Sequence, residues 1–187
     1  MGLGIRNLNA GLKSKIKKCI ALLDEEYQSL DFTIYFYEKA EKLEKEKGKN
    51  PDLKIEEYKQ ILQGEVPTAG ITIGDQGKIK IFLFLFDDLK KNPNEVINLI
   101  GNLYHEIRHA WQFEKALFQD EEDIQTIDGN LETYYSLPSE KDAYKFQEEQ
   151  MQKHWRRSLE IFGINTDGVR KDYEYKLLDE IREIIYS

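Results

Sequence analysis

The most regular pattern of hydrophobic positions lies in residues 93–112. Apolar side chains recur there at three- and four-residue intervals, which places them on one stripe of an α-helix: Val96, Ile100, Leu103, Ile107 and Ala110 or Trp111, flanked by Leu99 and Tyr104. The preceding residues carry helix-start signals, with Asn92 as N-cap, Pro93 at the first helical position and Glu95 three residues after the cap. The pattern therefore predicts a long helix with one buried stripe.

A second helical pattern begins near residue 138. Ser139, after Pro138, is the predicted N-cap, and Asp142 follows it by three residues. The apolar stripe of this helix comprises Tyr144, Met151, Trp155, Leu159 and Phe162, with Ala143 and Phe146 beside it. Glu140 lies one turn before this stripe, so it is predicted to project towards the interior. An inward carboxylate needs a partner, because an unpaired buried charge is costly.

Shorter patterns predict the other elements. Residues 32–37 are rich in β-branched and aromatic side chains and predict a strand. Two apolar runs within residues 69–86 flank a Gly-Asp-Gln-Gly turn and predict a β-hairpin that leads into the long helix. Further helices are predicted over residues 12–30, 38–48, 54–63 and 167–186. Together these elements predict an α+β fold, in which a short antiparallel or mixed sheet packs against the long helix and further helices follow.

The length and composition narrow the class of protein. We expect the 187 residues to form one domain, with a helix and sheet part over 1–90 and a helical part over 91–187. The net charge of −8 argues against a nucleic-acid partner. The sequence has no apolar run of membrane length and no signal peptide, so no membrane partner is expected. The single cysteine, Cys19, is predicted to fill a core position; it cannot form an internal disulfide, which fits a cytoplasmic location.

The long predicted helix carries the sequence His105-Glu106-Ile107-Arg108-His109, which includes two of the three histidines of the chain. Histidines four residues apart lie on one face of a helix, so both imidazoles can bind one metal ion. Glu106 lies beside that metal, where its carboxylate can take a proton from a bound water. The helix is predicted to be buried on one side and to present the imidazoles on the other. The alternative is a surface helix with two exposed histidines.

A catalytic metal site of this kind usually has three protein ligands. Glu140 is the preferred third ligand, because the metal would be the partner that its inward carboxylate needs; the alternative is a first-turn glutamate favoured only by the helix dipole. Asp142 is the second choice, although a capping role or a hydrogen bond to a ligand histidine explains it better. His154 is the third choice, and its neighbours Arg156 and Arg157 favour a solvated position.

Two segments within residues 95–151 resemble the gluzincin zinc metallopeptidases of small bacterial type, in particular the ImmA/IrrE-like group and the related SprT-like proteins: HEIRHAWQ and, further on, EKDAYKF. The resemblance implies a zincin-like fold and a hydrolase whose general base is Glu106. It implies one Zn²⁺ per chain, bound by His105, His109 and Glu140. It also implies a peptide or protein substrate that pairs with a strand of the hairpin. It does not account for Trp111-Gln112.

Two other functions remain open on the sequence alone. Glu106 and His109 also have the spacing of ligands in di-iron carboxylate proteins, but that site normally needs a second Glu-x-x-His, which this sequence lacks. The other alternative is a catalytically silent or highly selective peptidase-like protein that binds or regulates a partner.

Two further features bear on the peptidase hypothesis. A peptidase needs a donor for the developing oxyanion, and the sequence offers four candidates: Tyr134, Tyr135, Tyr144 and His154. Residues 114–149 hold eleven acidic and three basic residues. This acidic excess either favours basic or neutral substrates or forms a solvated loop.

Overall fold

The computed structural model of the protein describes residues 2–49, 51–64, 68–121, 131–166 and 175–187. These residues form a mixed α/β fold with eight α-helices and one four-stranded sheet. The strands are β1 (Gly4–Arg6), β2 (Thr33–Phe36), β3 (Gly70–Ile73) and β4 (Lys78–Ile81). The helices are α1 (Ala10–Ile20), α2 (Glu25–Gln28), α3 (Ala40–Lys49), α4 (Ile55–Gln63), α5 (Pro93–Glu114), α6 (Leu131–Ser136), α7 (Pro138–Phe162) and α8 (Asp179–Ile185). None of these helices is long and apolar enough to cross a membrane.

The sheet is mixed and has the strand order β1-β2-β4-β3, which makes β3 an edge strand. β2 pairs parallel with both β1 and β4, whereas β3 pairs antiparallel with β4. The predicted hairpin is therefore confirmed for β3 and β4, and Gly77, with φ of 58°, supplies the left-handed residue that ends its turn. The predicted second strand is wrong after Ile81, since residues 83–85 form a 3₁₀ turn where the chain leaves the sheet for α5.

Hydrophobic side chains pack against both faces of the sheet. Successive strand residues point to opposite faces, so Ile79 and Ile81 face the main core while Lys80 faces the other side. The main core lies between the sheet and helices α1, α5 and α7. The smaller core lies under α3 and α4 and comprises Tyr37, Leu43, Tyr58, Ile61 and Phe82. This arrangement holds α5 against β3 and β4.

Lys80 is completely buried beside the smaller core. Its ammonium group donates to the Glu46 carboxylate and lies 3.2 Å from Asp52 Oδ2. The hydroxyls of Tyr37 and Tyr58 also donate to Glu46, and both rings lie 5.7 Å from the ammonium group. The buried lysine is tolerated because its charge is paired and the carboxylate that pairs with it is itself hydrogen-bonded.

Helix α5 begins as the sequence predicts. Asn92 is the N-cap, its side chain accepts a hydrogen bond from Asn94 N at 3.1 Å, and Pro93 occupies the first helical position. Glu95 does not bond to the cap; its carboxylate accepts from Asp87 N at 3.2 Å and so fixes the approach to the helix. The predicted stripe is buried along its length: Val96, Ile100, Leu103, Ile107 and Ala110.

Helix α7 carries the predicted stripe but begins differently. The prediction of Ser139 as N-cap is wrong, because Leu137 is the cap residue and Pro138 occupies the first helical position, which suits its fixed φ. Ser139 lies inside the first turn, where its backbone N donates to Glu121 at 2.8 Å and its hydroxyl also donates to Glu121. The stripe is buried from Ala143 to Phe162, with Tyr144 half-buried.

Two other predicted helices are shorter in the structure. The helix predicted over 12–30 is divided, because α1 ends at Ile20 and the following turn buries Leu23 before α2 begins. Of the helix predicted over 167–186, residues 167–174 lie outside the described part of the chain, and α8 starts only at Asp179. The strand at 32–37 and the helices at 38–48 and 54–63 are confirmed with small shifts of their ends, and Cys19 is buried in α1 as predicted.

Candidate metal centre

Two helices bring His105, His109 and Glu140 together. The two histidines lie one turn apart on α5, and their Nε2 atoms are 3.0 Å apart. Glu140, in the first turn of α7, places Oε2 at 3.2 Å from His105 Nε2 and Oε1 at 3.2 Å from His109 Nε2. This cluster of three side chains could hold a metal ion.

The cluster lies inside the protein. His105 and Glu140 are 5% and 7% exposed, and His109 is partly exposed. The alternative of a surface helix with two exposed histidines is therefore wrong. The side of α5 that carries the imidazoles packs against β3 and α7, so both sides of the helix are covered here. The hydrophobic pattern of α5 by itself predicts burial of the apolar side only, and not of the side that carries the imidazoles.

His109 Nε2 lies 3.2 Å from Glu140 Oε1, and each of the two groups shifts the pKa of the other. Burial by itself would lower the pKa of His109, but the adjacent Glu140 carboxylate raises it to about 9. Burial would likewise raise the pKa of Glu140, but the charge of His109 and the contacts with both imidazoles hold it well below its ordinary value. A carboxylate and two ring nitrogens held this close form a site where a cation is strongly stabilised.

Two buried atoms of the cluster lack hydrogen-bond partners among the described residues: His105 Nδ1 and Glu140 Oε2. Oε2 lies 3.2 Å from His105 Nε2, but not in hydrogen-bonding geometry. Buried polar atoms nearly always have a partner. For Glu140 Oε2, which lies 3.2 Å from His105 Nε2, a metal ion can be that partner, so the donor set and its unpaired oxygen both fit a metal ion.

Glu106 is held next to the cluster by the edge strand β3. Thr72 Oγ1 lies 2.8 Å from Glu106 Oε2 and 2.9 Å from the Glu106 carbonyl oxygen, and its single proton can serve one of them at a time. A Cβ atom on Gly70 would lie only 2.7 Å from Glu106 Cγ. Burial raises the pKa of Glu106, although both imidazoles act in the opposite direction. Thr72 thus holds the carboxylate in place, and among the described residues no lysine or arginine forms an ion pair with it.

Residues outside the predicted ligand set tie the cluster to both helices. Gln112 Oε1 lies 2.9 Å from His109 Nδ1, and Gln112 Nε2 donates to Ser139 O at 2.9 Å and to Asp142 Oδ2 at 2.7 Å. Arg108 holds the same Asp142 carboxylate through two hydrogen bonds of 2.7 and 3.0 Å. Asp142 is therefore not part of the ligand cluster, and it acts on His109 through Gln112.

The other residues that the sequence suggested for the site lie outside the ligand cluster or only beside it. His154, the third-choice ligand, lies half-buried on α7 outside the cluster, near Lys153 and Asp24. Of the acidic stretch, residues 122–130 lie outside the described part of the chain, whereas Glu121 binds Ser139, next to Glu140. Gly70, Thr72 and Gln112 were not predicted from the sequence as part of this site. Only Gln112 had a signal, since it follows the motif within HEIRHAWQ.

A narrow cleft reaches the cluster. It is lined by His105 and Glu106, by residues 68–70 and Asn102, and by one group of aromatic and apolar side chains: Leu131, Tyr134, Tyr135 and Tyr144. The Tyr144 ring lies 4.3 Å from the His105 ring, centroid to centroid. Burial, and then the charge of Glu140, raise the pKa values of Tyr134 and Tyr144 well above that of a free tyrosine. Both hydroxyls therefore remain protonated hydrogen-bond donors.

The described fold and site define a mixed α/β protein with a buried His–His–Glu cluster that could hold a metal ion. No family model, no curated protein and no solved structure matches this chain. What the protein does is therefore inferred from the chemistry of its own residues.

Proposed function

We propose that this chain is a zinc-dependent metallopeptidase with a zincin-like fold, similar to the gluzincin group that its motifs resemble. The observation that carries the proposal is the proximity of the ligand atoms: the Nε2 atoms of His105 and His109 lie 3.0 Å apart, and each lies 3.2 Å from one oxygen of Glu140. Bonds of about 2.0–2.2 Å to a tetrahedral zinc place neighbouring ligand atoms roughly 3.3–3.6 Å apart, so small side-chain shifts would complete the site. Two imidazoles and one carboxylate are also a ligand set of catalytic zinc sites that keep a fourth position for water.

The peptidase proposal assigns the proton transfers to Glu106. When bound, zinc supplies a Lewis acid and lowers the pKa of a coordinated water towards about 7. Glu106 takes the proton of the attacking water and later delivers it to the leaving amine. Thr72 and Gly70 keep the Glu106 carboxylate beside the cluster, so it is oriented before a substrate arrives.

The cleft supports a peptide as the substrate. Its wall includes Gly70, the first residue of β3, and an edge strand offers backbone donors and acceptors to an extended peptide. Tyr134, Tyr135 and Tyr144 are the preferred donors to the developing oxyanion, because all three line the cleft and their raised pKa values keep the hydroxyls protonated. His154 does not line this cleft and is the weakest of the four candidates.

A second function, a highly selective or catalytically silent protein that binds a partner, is favoured by the enclosure of the site. Glu106 and His105 are only 6% and 5% exposed, and the aromatic side chains of α6 line the cleft above them. A site this closed admits few substrates without movement of α6, which would restrict cleavage to a small number of partners.

Metal analysis and hydrolysis assays together test the proposal. Mass spectrometry of the purified wild-type protein should give one zinc per chain, and His109→Ala and Glu140→Ala should each lose it. Glu106→Gln should keep the zinc but lower hydrolysis of an unfolded protein about 10²- to 10⁴-fold.

Each assay has an outcome that contradicts one part of the proposal. If the wild-type protein binds no zinc, even after zinc is added, the proposed metal centre is wrong. If Glu106→Gln binds zinc and keeps full activity, Glu106 is not the general base. Zinc binding with no hydrolysis of unfolded proteins favours the selective or silent binding protein instead.

A further inference from the structure

The side-chain amide of Gln112 has only one orientation that satisfies its neighbours. Gln112 lies three residues after His109 on α5 and is buried. Its Nε2 contacts Ser139 O at 2.9 Å and Asp142 Oδ2 at 2.7 Å, and a carbonyl and a carboxylate paired with Arg108 can only accept hydrogen bonds. The amide nitrogen must therefore face α7, and Oε1 must face the His109 ring.

This orientation determines which nitrogen of His109 carries a proton. Gln112 Oε1 is an acceptor, and it lies 2.9 Å from His109 Nδ1, so Nδ1 must donate. In the neutral ring the proton is then on Nδ1, and the lone pair of Nε2 points at His105 and Glu140. We propose that Gln112 is a positioning residue that fixes the tautomer and orientation of His109 for metal binding; this role rests on the metal centre proposed above.

The orientation of Gln112 depends in turn on Arg108, which holds the Asp142 carboxylate on the side of Gln112 away from His109. Arg108 binds both oxygens of Asp142, and its guanidinium lies 4.0 Å from the centroid of the Trp111 ring. Arg108 also donates to the hydroxyl of Tyr27 on α2. The chain of contacts therefore runs from α2 through Arg108 and Asp142 to Gln112. These contacts give Trp111 and Gln112 a role at the metal site: Trp111 packs on Arg108, and Gln112 contacts His109. The motif resemblance does not account for either residue.

The competing role for Gln112 is purely structural, since it also ties α5 to α7. Gln112→Met keeps the size of the side chain but removes the acceptor for His109 and the donors for α7. Gln147→Met is the matched control, because Gln147 is also buried and donates to Tyr175 OH at 2.7 Å, away from the ligand cluster. A structural role predicts the same result for both variants; a positioning role affects metal binding only in Gln112→Met.

The experiment measures zinc affinity of the full chain by competition with a chelator, alongside thermal unfolding of the metal-free protein. Gln112→Met should weaken zinc binding about 10- to 100-fold, whereas Gln147→Met should lower the unfolding temperature without changing the affinity. Nitrogen NMR of the zinc-bound wild-type protein should show His109 protonated at Nδ1 and coordinating through Nε2.

Three results separate the possible failures. Wild-type protein that binds no zinc overturns the metal centre, and this role with it. Zinc binding that is equal in wild type and Gln112→Met overturns only the role of Gln112. Coordination of His109 through Nδ1 in the wild-type spectrum also overturns that role, even if the variants fail to fold.

Discussion

The carboxylate of Glu106 is positioned by two small residues of β3 that have no acid–base chemistry themselves. Thr72 contacts the carboxylate directly, and Gly70 leaves the space that the Glu106 side chain fills. At Gly70 a methyl group would also lie 2.9 Å from Ile81 Cδ1, so both the Glu106 and the Ile81 side chains would have to shift. The register of β3 against α5 therefore decides where the proposed general base lies.

We expect Gly70→Ala to displace Glu106 while leaving the three ligands in place. Zinc content should stay at the wild-type level, hydrolysis should fall by about 10²-fold, and overpacking should lower the free energy of unfolding by about 1–3 kcal/mol. Gly48→Ala is the control, since its Cβ meets nothing within 4 Å and α3 should gain up to about 1 kcal/mol. Unchanged activity in Gly70→Ala would show that the close approach is not needed.

At the scale of elements, the start of α7 depends on a residue far from it in sequence. The N-cap residue, Leu137, has no side-chain acceptor, and Glu121 instead accepts from Ser139 N and Oγ. A carboxylate is favoured there because the first turn of a helix carries unpaired N–H groups and the positive end of the dipole. The same turn supplies Glu140, so the cap and the metal ligand are adjacent.

We expect Glu121→Ala to lower the free energy of unfolding by about 1 kcal/mol, because the first turn of α7 loses its acceptor. The control is Asp120→Ala, at an exposed neighbouring position, which should change stability by less than about 0.5 kcal/mol. Urea unfolding of the three metal-free proteins measures both values. Equal stability of the two variants would mean that the Glu121 contact adds nothing in solution.

Elements with many regularly spaced apolar residues were predictable, and their local starts and ends were less so. Helices α5 and α7 and the β3–β4 hairpin follow from periodicity and turn residues, whereas the proximity of Glu140 to the two histidines was predicted from the partner that an inward carboxylate needs. β1 has only three residues and forms through parallel pairing with β2, which no local pattern reveals. The contacts of Thr72 and Gln112 depend on packing between distant segments, so the sequence pattern could not predict them.

At the scale of the whole molecule, the sheet separates the large core from a smaller one that has a cluster of charged side chains beside it. Lys80 and Glu46 join β4 to α3 on the side away from α5, and Tyr58 adds α4 to the same group. Burying charges costs free energy even when they are paired, so this cluster specifies how α3 and α4 dock more than it stabilises the fold.

We expect removal of either charge in this cluster to have unequal effects. Glu46→Gln leaves the buried Lys80 with Asp52 as its only carboxylate in the described cluster and should cost about 1–3 kcal/mol of unfolding free energy. Lys80→Met fills the same space with an apolar side chain, while both tyrosines can still donate to Glu46, and should cost less than about 1 kcal/mol. Chemical denaturation compares them, and a larger loss in Lys80→Met would contradict this account.

The reactivity of the Cys19 thiol can report how often the folded protein opens locally. Cys19 is the only cysteine in the sequence, it is completely buried, and burial raises the pKa of its thiol to about 12. A thiol reagent can therefore label it only when α1 separates from the core, so the labelling rate measures how often that happens. A ligand that binds only the folded chain makes such openings rarer by a factor of about 1 + [L]/Kd. If the opening that exposes Cys19 also separates α5 from α7, bound zinc would protect this thiol on another helix, and the zinc affinity could be measured with no substrate in hand.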